Sequence, residues 1–326
     1  MPRLITLDDF KDTYCKIHQR GKSFIFSKFT FNNLDRTKSA FDNTAVNASN
    51  WWNIPKVRER WNFLISGDIN VNYKQYLVTT YLANQKNLKL LSLGSGVCSH
   101  ELELASYTAV FKEITCVDIA NNLFEIASEK AKSNNLNNIK FICKSIYDFD
   151  FKENEYDAVL FNSSLHHFNK VDKLLSEKIK FTLKPSGNLI INEFVGAERH
   201  QFSENQLLAI NNGLKTIPKK YRKIFKTNLY KNTFRGAGLL RMIISDPSEC
   251  IDSNSIIPAI HKHFKVVDEK PYGGNLLANV LRDISHHFIT LNEEKEQVLE
   301  KLFLLEDSFI ASNSSDFVLG FYENID

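Results

Sequence analysis

Short apolar runs that alternate with stretches of helical length limit most strongly what this chain can fold into. Between residues 88 and 191 the runs are Leu88–Leu93, Glu113–Val117, Ile139–Cys143, Ala158–Phe161 and Leu189–Ile191, all rich in Val, Ile, Leu or Phe. Nearly continuous apolar runs are typical of strands buried on both faces of a sheet. Strands that alternate with helices form parallel βαβ units. The pattern therefore predicts a doubly wound α/β sheet with helices packed on both faces.

The segments on either side of this series follow a different pattern. Residues 1–87 and 197–250 contain stretches of helical periodicity and no comparable series of strands. Strand patterns resume at Phe264–Val267 and Asp316–Tyr322, with helical stretches such as Asn275–Phe288 between them. We therefore predict four segments: a helical N-terminal cap at 1–87, a core at 88–196, a helical insertion that caps the substrate site at 197–250, and the C-terminal part of the core sheet at 251–326.

A loop with two glycines follows the first predicted strand. Gly94 and Gly96 let the backbone turn tightly and approach a ligand closely. Asp118 closes the second predicted strand, where a carboxylate can accept hydrogen bonds from a ribose diol. The third glycine of the dinucleotide fingerprint is missing, because Ser99 stands in its place. The combination indicates a nucleotide-like cofactor. The alternative is that the glycines only form a turn and that Asp118 caps the next helix.

Charge and cysteine content exclude several classes of protein. The 41 basic and 38 acidic residues give a formal net charge of +3, too small for a broad basic surface, so we expect no nucleic-acid partner. The five cysteines include no Cys-x-x-Cys pair, which favours reduced thiols over a disulfide framework or a zinc cluster. No run is long and apolar enough to span a membrane, and the first residues lack the pattern of a signal peptide. We therefore expect a cytoplasmic protein without a membrane partner.

Five motifs between Leu88 and Gly196 together resemble one known family. They are LLSLGSG, CVDIA, FICKSIYDFDF, EYDAVLFNSSLHHF and LKPSGNLIINEF, in this order. Each motif is short, but the order and spacing of all five are rather specific. The chain resembles the class I S-adenosylmethionine-dependent methyltransferases that act on small molecules. The resemblance implies a Rossmann-like sheet of seven strands with an antiparallel last strand. It also implies S-adenosyl-L-methionine as cofactor and S-adenosyl-L-homocysteine as product.

The resemblance also implies which residues bind the cofactor. Gly94, Ser95 and Gly96 would line its methionine and ribose parts. Asp118 would hold the ribose hydroxyls, and Ile119 would pack on the adenine ring.

Further along the chain, the resemblance places Ser145 and Ile146 at the border of the adenine. Asn162 and Ser163 would lie near the sulfur that bears the methyl group. Three positions depart from the family's pattern: Ser92 and Ser145, where an acid is common, and Cys98, where a glycine is common. A serine hydroxyl can replace an acid with one weaker contact.

Three residues are candidates for the chemistry. Methyl transfer is an in-line displacement that needs alignment and a dehydrated nucleophile, and no covalent enzyme intermediate. His166 and His167 follow the fourth predicted strand, where a neutral histidine can accept a proton from a hydroxyl nucleophile. Alternatively, one histidine caps the next helix and the other packs on the cofactor. Glu193 ends the fifth strand and is a base, a substrate anchor or a structural hydrogen-bond acceptor.

The other chemically notable residues lead to weaker expectations. No remaining pair of histidines has the spacing of i and i+4, with a third ligand, that a metal site would show, so we predict no metal. The basic cluster Lys219–Lys223 lies in the predicted insertion. It is either a solvated face or part of a lid that carries cations for an acidic substrate.

The predicted function is methyl transfer from S-adenosylmethionine to O, N or C of a small metabolite or natural-product-like substrate, with an acidic substrate as the narrower interpretation. One alternative is a binding protein of the same fold without catalysis. A methyltransferase for RNA or protein is disfavoured, because strand four leads into Asn162-Ser163-Ser164-Leu165 instead of an Asn/Asp-Pro-Pro-aromatic motif. No pattern in the sequence defines the oligomeric state.

Overall fold

A seven-stranded sheet forms the centre of the protein, whose structure, a computed structural model, describes residues 2–20 and 49–325. The strands are β1 (Leu88–Leu93), β2 (Phe111–Asp118), β3 (Ile139–Cys143), β4 (Tyr156–Asn162), β5 (Leu183–Phe194), β6 (Phe264–Gly273) and β7 (Phe317–Asn324). Their spatial order is β3-β2-β1-β4-β5-β7-β6. Strands β1 to β5 pair in parallel, and β7 runs antiparallel to both of its neighbours. The predicted doubly wound sheet with an antiparallel last strand is therefore confirmed.

Helices connect these strands and extend beyond them. The α-helices are α1 (Leu7–Arg20), α2 (Pro55–Ser66), α3 (Tyr73–Tyr76), α4 (Ser99–Ala105), α5 (Asn121–Ser133), α6 (Val171–Leu174), α7 (Glu204–Thr216), α8 (Leu239–Ser245), α9 (Ile256–His263), α10 (Leu277–Leu281) and α11 (Glu293–Ile310). Helix α3 continues as one π-helical turn, Leu77–Tyr81, and α6 continues through the π-helical Leu175–Ile179 to the short helix Lys180–Thr182. Asn72 caps α3, because its side chain accepts from the backbone N–H groups of Lys74 and Gln75.

Strand β4 shows why the central strands read as continuous apolar runs. Ala158 and Leu160 belong to the apolar cluster on one face of the sheet, where α4 and α5 pack. Val159 and Phe161 belong to the cluster on the other face, with α6 and α9. Side chains alternate between the faces of a strand. Both faces of this sheet are dry at the centre of β4, so the positions Ala158–Phe161 are all apolar.

Two elements at the far edge of the sheet differ from their predicted extent. Strand β6 runs to Gly273 instead of ending at Val267, because the polar stretch Asp268–Lys270 still pairs with β7. An edge strand tolerates polar residues, and apolar periodicity cannot reveal it. The helix predicted at Asn275–Phe288 is divided into α10 and a 3-10 turn, Ser285–Phe288.

A separate apolar cluster lies beyond the sheet. Trp51 and Ile54 pack there with residues of α7, α10 and α11. The rings of Trp51 and Trp61 meet edge to face at 4.5 Å. This cluster joins the segment around residue 51 to elements after residue 197. The bounds of the four segments stay a prediction. Within the described ranges, no helix is both long and apolar enough to cross a membrane.

The strand order locates the place where a ligand is expected. From β1 the chain continues to β2 on one side, and from β4 it continues to β5 on the other. In open α/β sheets such a reversal leaves a crevice at the carboxyl ends of the two strands, where ligands bind.

Candidate functional site

The glycine loop after β1 closes against the turn after β4. Gly94 and Gly96 have φ angles of +71° and +53°, which side chains disfavour. A Cβ atom on Gly94 would lie 2.6 Å from Cβ of Ser164, so only glycine fits there. The Ser164 hydroxyl donates to the carbonyl of Leu93 at 2.6 Å, which ties the two strand ends together. Ser95 lies half-buried between the glycines. The loop thus presents backbone, with little side-chain bulk, to the crevice.

Asp118 connects the loops after β1 and β2. Its Oδ2 accepts from the backbone N–H of Gly96 at 2.8 Å, and its Oδ1 accepts from the N–H of Ala120 at 2.9 Å. Each carboxylate oxygen keeps a further lone pair for a ligand. The half-buried Ile119 follows directly.

The residues predicted after β3 lie at the same edge of the sheet. Asp118 pairs with Cys143 in the ladder, and the N–H of Lys144 donates to the Asp118 carbonyl at 2.9 Å. Ser145 follows at once, and its hydroxyl accepts from the N–H of Tyr147 at 3.3 Å. Ile146 is buried. The structure therefore brings these residues to the side of Asp118.

Sequence reasoning missed Glu101, a buried acid beneath the glycine loop. Its side chain is 1% exposed, and its Oε1 accepts from the Ser92 hydroxyl at 2.7 Å. Its Oε2 has no hydrogen-bond partner among the described residues. Burial raises the pKa of Glu101 to about 7. A buried polar atom without a partner is costly and indicates a missing ligand, ion or water.

Asn162 lies at the end of β4 in a network of polar side chains. Its Oδ1 accepts from the hydroxyl of Tyr73 at 3.0 Å and from Nδ2 of Asn192 at 2.8 Å. The Tyr73 hydroxyl also lies 2.9 Å from Nδ1 of His100. Ser163 is exposed, with a φ of +51°. Tyr73 comes from α3, so the segment before the sheet contributes to the crevice, which no motif in the sequence indicated.

Glu193 is the centre of a buried hydrogen-bond network. The backbone N–H groups of Ser164 and Leu165 donate to its Oε1, the latter at 2.7 Å. Nδ1 of His166 lies 2.6 Å from Oε2, and the N–H of Phe194 donates to the same oxygen at 3.1 Å. Burial by itself would lower the pKa of His166, but the carboxylate outweighs burial and raises that pKa to about 9. Of the roles considered for Glu193, the geometry favours the structural acceptor.

His167 has a different environment from His166. Its Nδ1 lies 3.1 Å from the hydroxyl of Ser248, which in turn donates to Oδ1 of Asp246 at 2.7 Å. Its Nε2 lies 3.8 Å from Oε2 of Glu249. Burial, and after it the charge of His166, lower the pKa of His167. Both effects disfavour the charged form of the ring.

A cavity of about 450 Å³ adjoins the end of β5 at Phe194. Its described lining comes from α1, from the segment around Trp51 and from the regions around residues 231–249 and 274–283. Two of its cations are already engaged. The buried Lys231 donates to the carbonyls of Asn279 and Arg282 at 2.6 Å, and burial lowers its pKa to about 8.

Arg241, the second of these cations, pairs with two carboxylates of α1. Its Nε lies 2.8 Å from Oδ1 of Asp9, and its Nη2 lies 3.0 Å from Oδ2 of Asp12. The basic cluster Lys219–Lys223 contributes no residue to the described lining, and Lys220 pairs with Glu294 at 2.7 Å. This arrangement favours the solvated-face interpretation of the cluster.

Comparison with known proteins relates the middle of the chain to one protein family. Residues 84–238 match the family model described as "Methyltransferase domain". The chain is 23% identical over 161 residues to phosphoethanolamine N-methyltransferase 2 of Caenorhabditis elegans, a match that covers 49% of this chain and 34% of that protein. It is 27% identical over 227 residues to release factor glutamine methyltransferase of Buchnera aphidicola, covering 64% of this chain and 79% of that one. The chain thus spans about a third of the nematode protein.

A solved structure shares the fold. Phosphoethanolamine N-methyltransferase 2 of Haemonchus contortus, in complex with S-adenosyl-L-methionine, superposes with a TM-score of 0.50 at 14% identity. The superposition covers 89% of this chain and 60% of that one. At this identity the likeness concerns the architecture alone.

The Glu193 network yields a stability prediction. Glu193→Gln leaves the buried His166 without its counter-charge, so we expect the free energy of unfolding to fall by about 3 kcal/mol. Glu198→Gln, the same change at an exposed position near the end of β5, is the control and should alter it by less than about 0.5 kcal/mol. Guanidinium denaturation measures both. Equal stability of the two variants would contradict the structural role of Glu193.

Proposed function

We propose that this chain, whose residues 84–238 are a class I S-adenosylmethionine-dependent methyltransferase domain, transfers a methyl group from S-adenosyl-L-methionine to a small molecule. The observation that carries the proposal is the crevice between β1 and β4, where a backbone-lined glycine loop, Asp118 and the unpartnered oxygen of Glu101 converge. Lys231 and Arg241, two cations that line the adjoining cavity, are already engaged and give no reason to restrict the substrate to acids. The two relatives carry names for different acceptors, phosphoethanolamine and a release-factor glutamine, so the accepting atom stays open.

The residues present fit this cofactor. Gly94, Ser95 and Gly96 would offer backbone to its methionine and ribose parts, and the free lone pairs of Asp118 would accept from the ribose hydroxyls. Ile119 would pack on the adenine.

On the other side of the adenine, Ser145 and Ile146 would form the border. Asn162 and Ser163 would lie near the sulfur. When bound, the cofactor supplies a methyl group activated by a sulfonium.

Glu101 supplies the acid that the Ser92 position lacks. The family often places a carboxylate at the end of β1, toward the amino-acid part of the cofactor. Here the carboxylate comes from α4 instead and reaches the same place through its hydrogen bond to the Ser92 hydroxyl. The free Oε2 of Glu101 would accept from the ammonium group of the methionine part. A hydrogen bond to a charged acceptor contributes about 1.5–3 kcal/mol to the free energy of binding.

Removal of a proton from the substrate would be the task of His167 and the network around it. Ser248 donates its proton to Asp246, so it can accept from Nδ1–H of His167. The lone pair is then on Nε2, beside Oε2 of Glu249, where it would accept a proton from the substrate. His166 and Glu193 would position this turn, since their charges are engaged with each other. Tyr73 and Trp51, from the segment before the sheet, would help to exclude water.

Cofactor binding is the first test. Isothermal titration should give saturable binding of S-adenosylmethionine and S-adenosylhomocysteine. Asp118→Asn should weaken binding about tenfold or more, because one charged acceptor is lost. Asp148→Asn, at an exposed position after β3, is the matched control and should bind normally. No binding at millimolar ligand would exclude the proposed function. Binding without any turnover on a panel of small hydroxyl, amine and carbonyl compounds would favour the non-catalytic alternative.

Glu101→Gln should increase the stability of the folded protein at high pH while weakening cofactor binding. In the folded protein the pKa of Glu101 is about 7, well above its ordinary value, so its contribution to stability is lost as the pH rises toward and through 7. We expect the variant to gain up to about 3 kcal/mol over the wild type at pH 8 and little at pH 5. Because the charge is gone, it should also bind the cofactor about tenfold more weakly.

Thermal denaturation at the two pH values and isothermal titration measure these effects. Glu129→Gln, at an exposed position of α5, is the control and should change neither quantity. A stability difference that is independent of pH would show that Glu101 is not a buried acid of this kind.

His167→Gln tests the proton acceptor. For a substrate of the panel that loses a proton on methylation, kcat should fall by about 10²–10⁴ while cofactor affinity is unchanged. His261→Gln, at an exposed histidine of α9, should retain activity. If the His167 variant turns over at the wild-type rate, another group takes the proton or none is needed.

A further inference from the structure

Four residues with metal-binding side chains meet beside the cavity, although the sequence predicted no metal. Cys250 and Glu249 lie on the loop after α8, and His200 lies on the 3-10 turn after β5. A ring nitrogen of His166, a carboxylate oxygen of Glu249 and the sulfur of Cys250 all lie within 4.8 Å of one another. From this arrangement we propose that the chain binds one Zn²⁺ ion through His166, His200, Glu249 and Cys250.

The spacing of three of these atoms is already that of zinc ligands. Nε2 of His200 lies 3.2 Å from Oε1 of Glu249 and 3.5 Å from Sγ of Cys250, and that sulfur lies 3.4 Å from the same oxygen. Tetrahedral bonds of about 2.0–2.1 Å to N or O and 2.3 Å to S place neighbouring ligand atoms about 3.3–3.6 Å apart. The three atoms therefore outline one face of a zinc tetrahedron. A ring nitrogen of His166, which lies within 4.8 Å of the ligand atoms of Glu249 and Cys250, would move toward the ion as the fourth ligand.

Neighbouring groups orient the proposed ligands. Glu193 engages Nδ1 of His166 at 2.6 Å, which leaves Nε2 for a metal. A carboxylate behind a histidine ligand is a common arrangement at zinc sites. The ring of His200 packs against those of Phe194 and Phe202, at centroid distances of 5.0 and 5.5 Å.

The two loops that carry the ligands are braced against each other. Arg199 donates from its guanidinium to the carbonyls of Pro247 and Glu249 at 2.7 and 3.0 Å. Its backbone N–H donates to the carbonyl of Cys250 at 2.7 Å. Arg199, His200 and Cys250 all have φ near +50°. Such conformations cost about 1–3 kcal/mol each and persist where the surroundings enforce them, often at functional sites.

The site combines a dry interior with an entry path. Cys250 is fully buried and packs with Phe194 and Phe202. Glu249 and His200 line the cavity, so an ion can enter from there. When Zn²⁺ binds, the thiol proton of Cys250 and the Nε2 proton of His166 leave to solvent, and no oxidant or reductant is needed. The proposal does not depend on cofactor binding or methyl transfer, and the two can fail separately.

Metal binding to the full chain tests the proposal. After dialysis against a chelator, titration with Zn²⁺ should give one tight site per chain. Titration with Co²⁺ should give a thiolate-to-cobalt charge-transfer band in the near ultraviolet. Cys250→Ser should abolish that band, and Glu249→Gln and His200→Asn should each weaken Zn²⁺ binding by about 100-fold or more, beyond the usual cost of losing an outer-shell partner.

Cys143→Ser is the control, because Cys143 is an exposed cysteine at the end of β3. It should leave the stoichiometry and the band unchanged. Circular dichroism identifies any variant that fails to fold. The ligand variants that do fold then decide whether these side chains bind Zn²⁺. The proposal is overturned if the wild type binds no stoichiometric Zn²⁺, if folded ligand variants bind as the wild type does, or if the band disappears in the Cys143 variant. The cluster would then be a hydrogen-bonded network without an ion.

Discussion

The rest of the site depends on the buried carboxylate of Glu193. It lies at the end of β5, yet it accepts from the backbone of the turn after β4 and from the side chain of His166. Those bonds fix Ser164, whose hydroxyl holds the end of β1 and whose Cβ excludes any side chain at Gly94. A charge removed from water is stable only when such donors surround it. The shape of the crevice therefore follows from the need to satisfy one buried acid.

The pair formed by Ser92 and Glu101 shows how a family pattern can be kept by different residues. In the sequence, Ser92 occupies a position where an acid is common in the family. In three dimensions, the first turn of α4 returns a carboxylate to the same strand end, at 2.7 Å from the serine hydroxyl. Burial makes that carboxylate costly, as its raised pKa shows. A residue that lowers stability and leaves an oxygen unpaired is best understood as serving a bound ligand.

The space beyond the crevice is built by parts of the chain that the motifs do not cover. Trp51 comes from before the sheet, and Lys231 and Arg241 come from after β5. Lys231 is held by carbonyls, and Arg241 is held by the carboxylates of α1. These two cations stabilise the cap from within. The total charge of the chain does not reveal this role.

The sequence by itself determined the sheet, its parallel centre, the glycine loop and the acid after β2, because these features depend on local periodicity and on residue types at strand ends. The second half of strand β6 and the division of the helix at α10 escaped it, since these bounds are set by pairing with β7 and by packing. Only the tertiary structure brought Glu101 to Ser92, Tyr73 to Asn162, and His200 to Cys250. These residues are distant in sequence or carry no motif. Their meeting is decided by burial, which forces each polar group that leaves water to find a partner wherever the fold provides one.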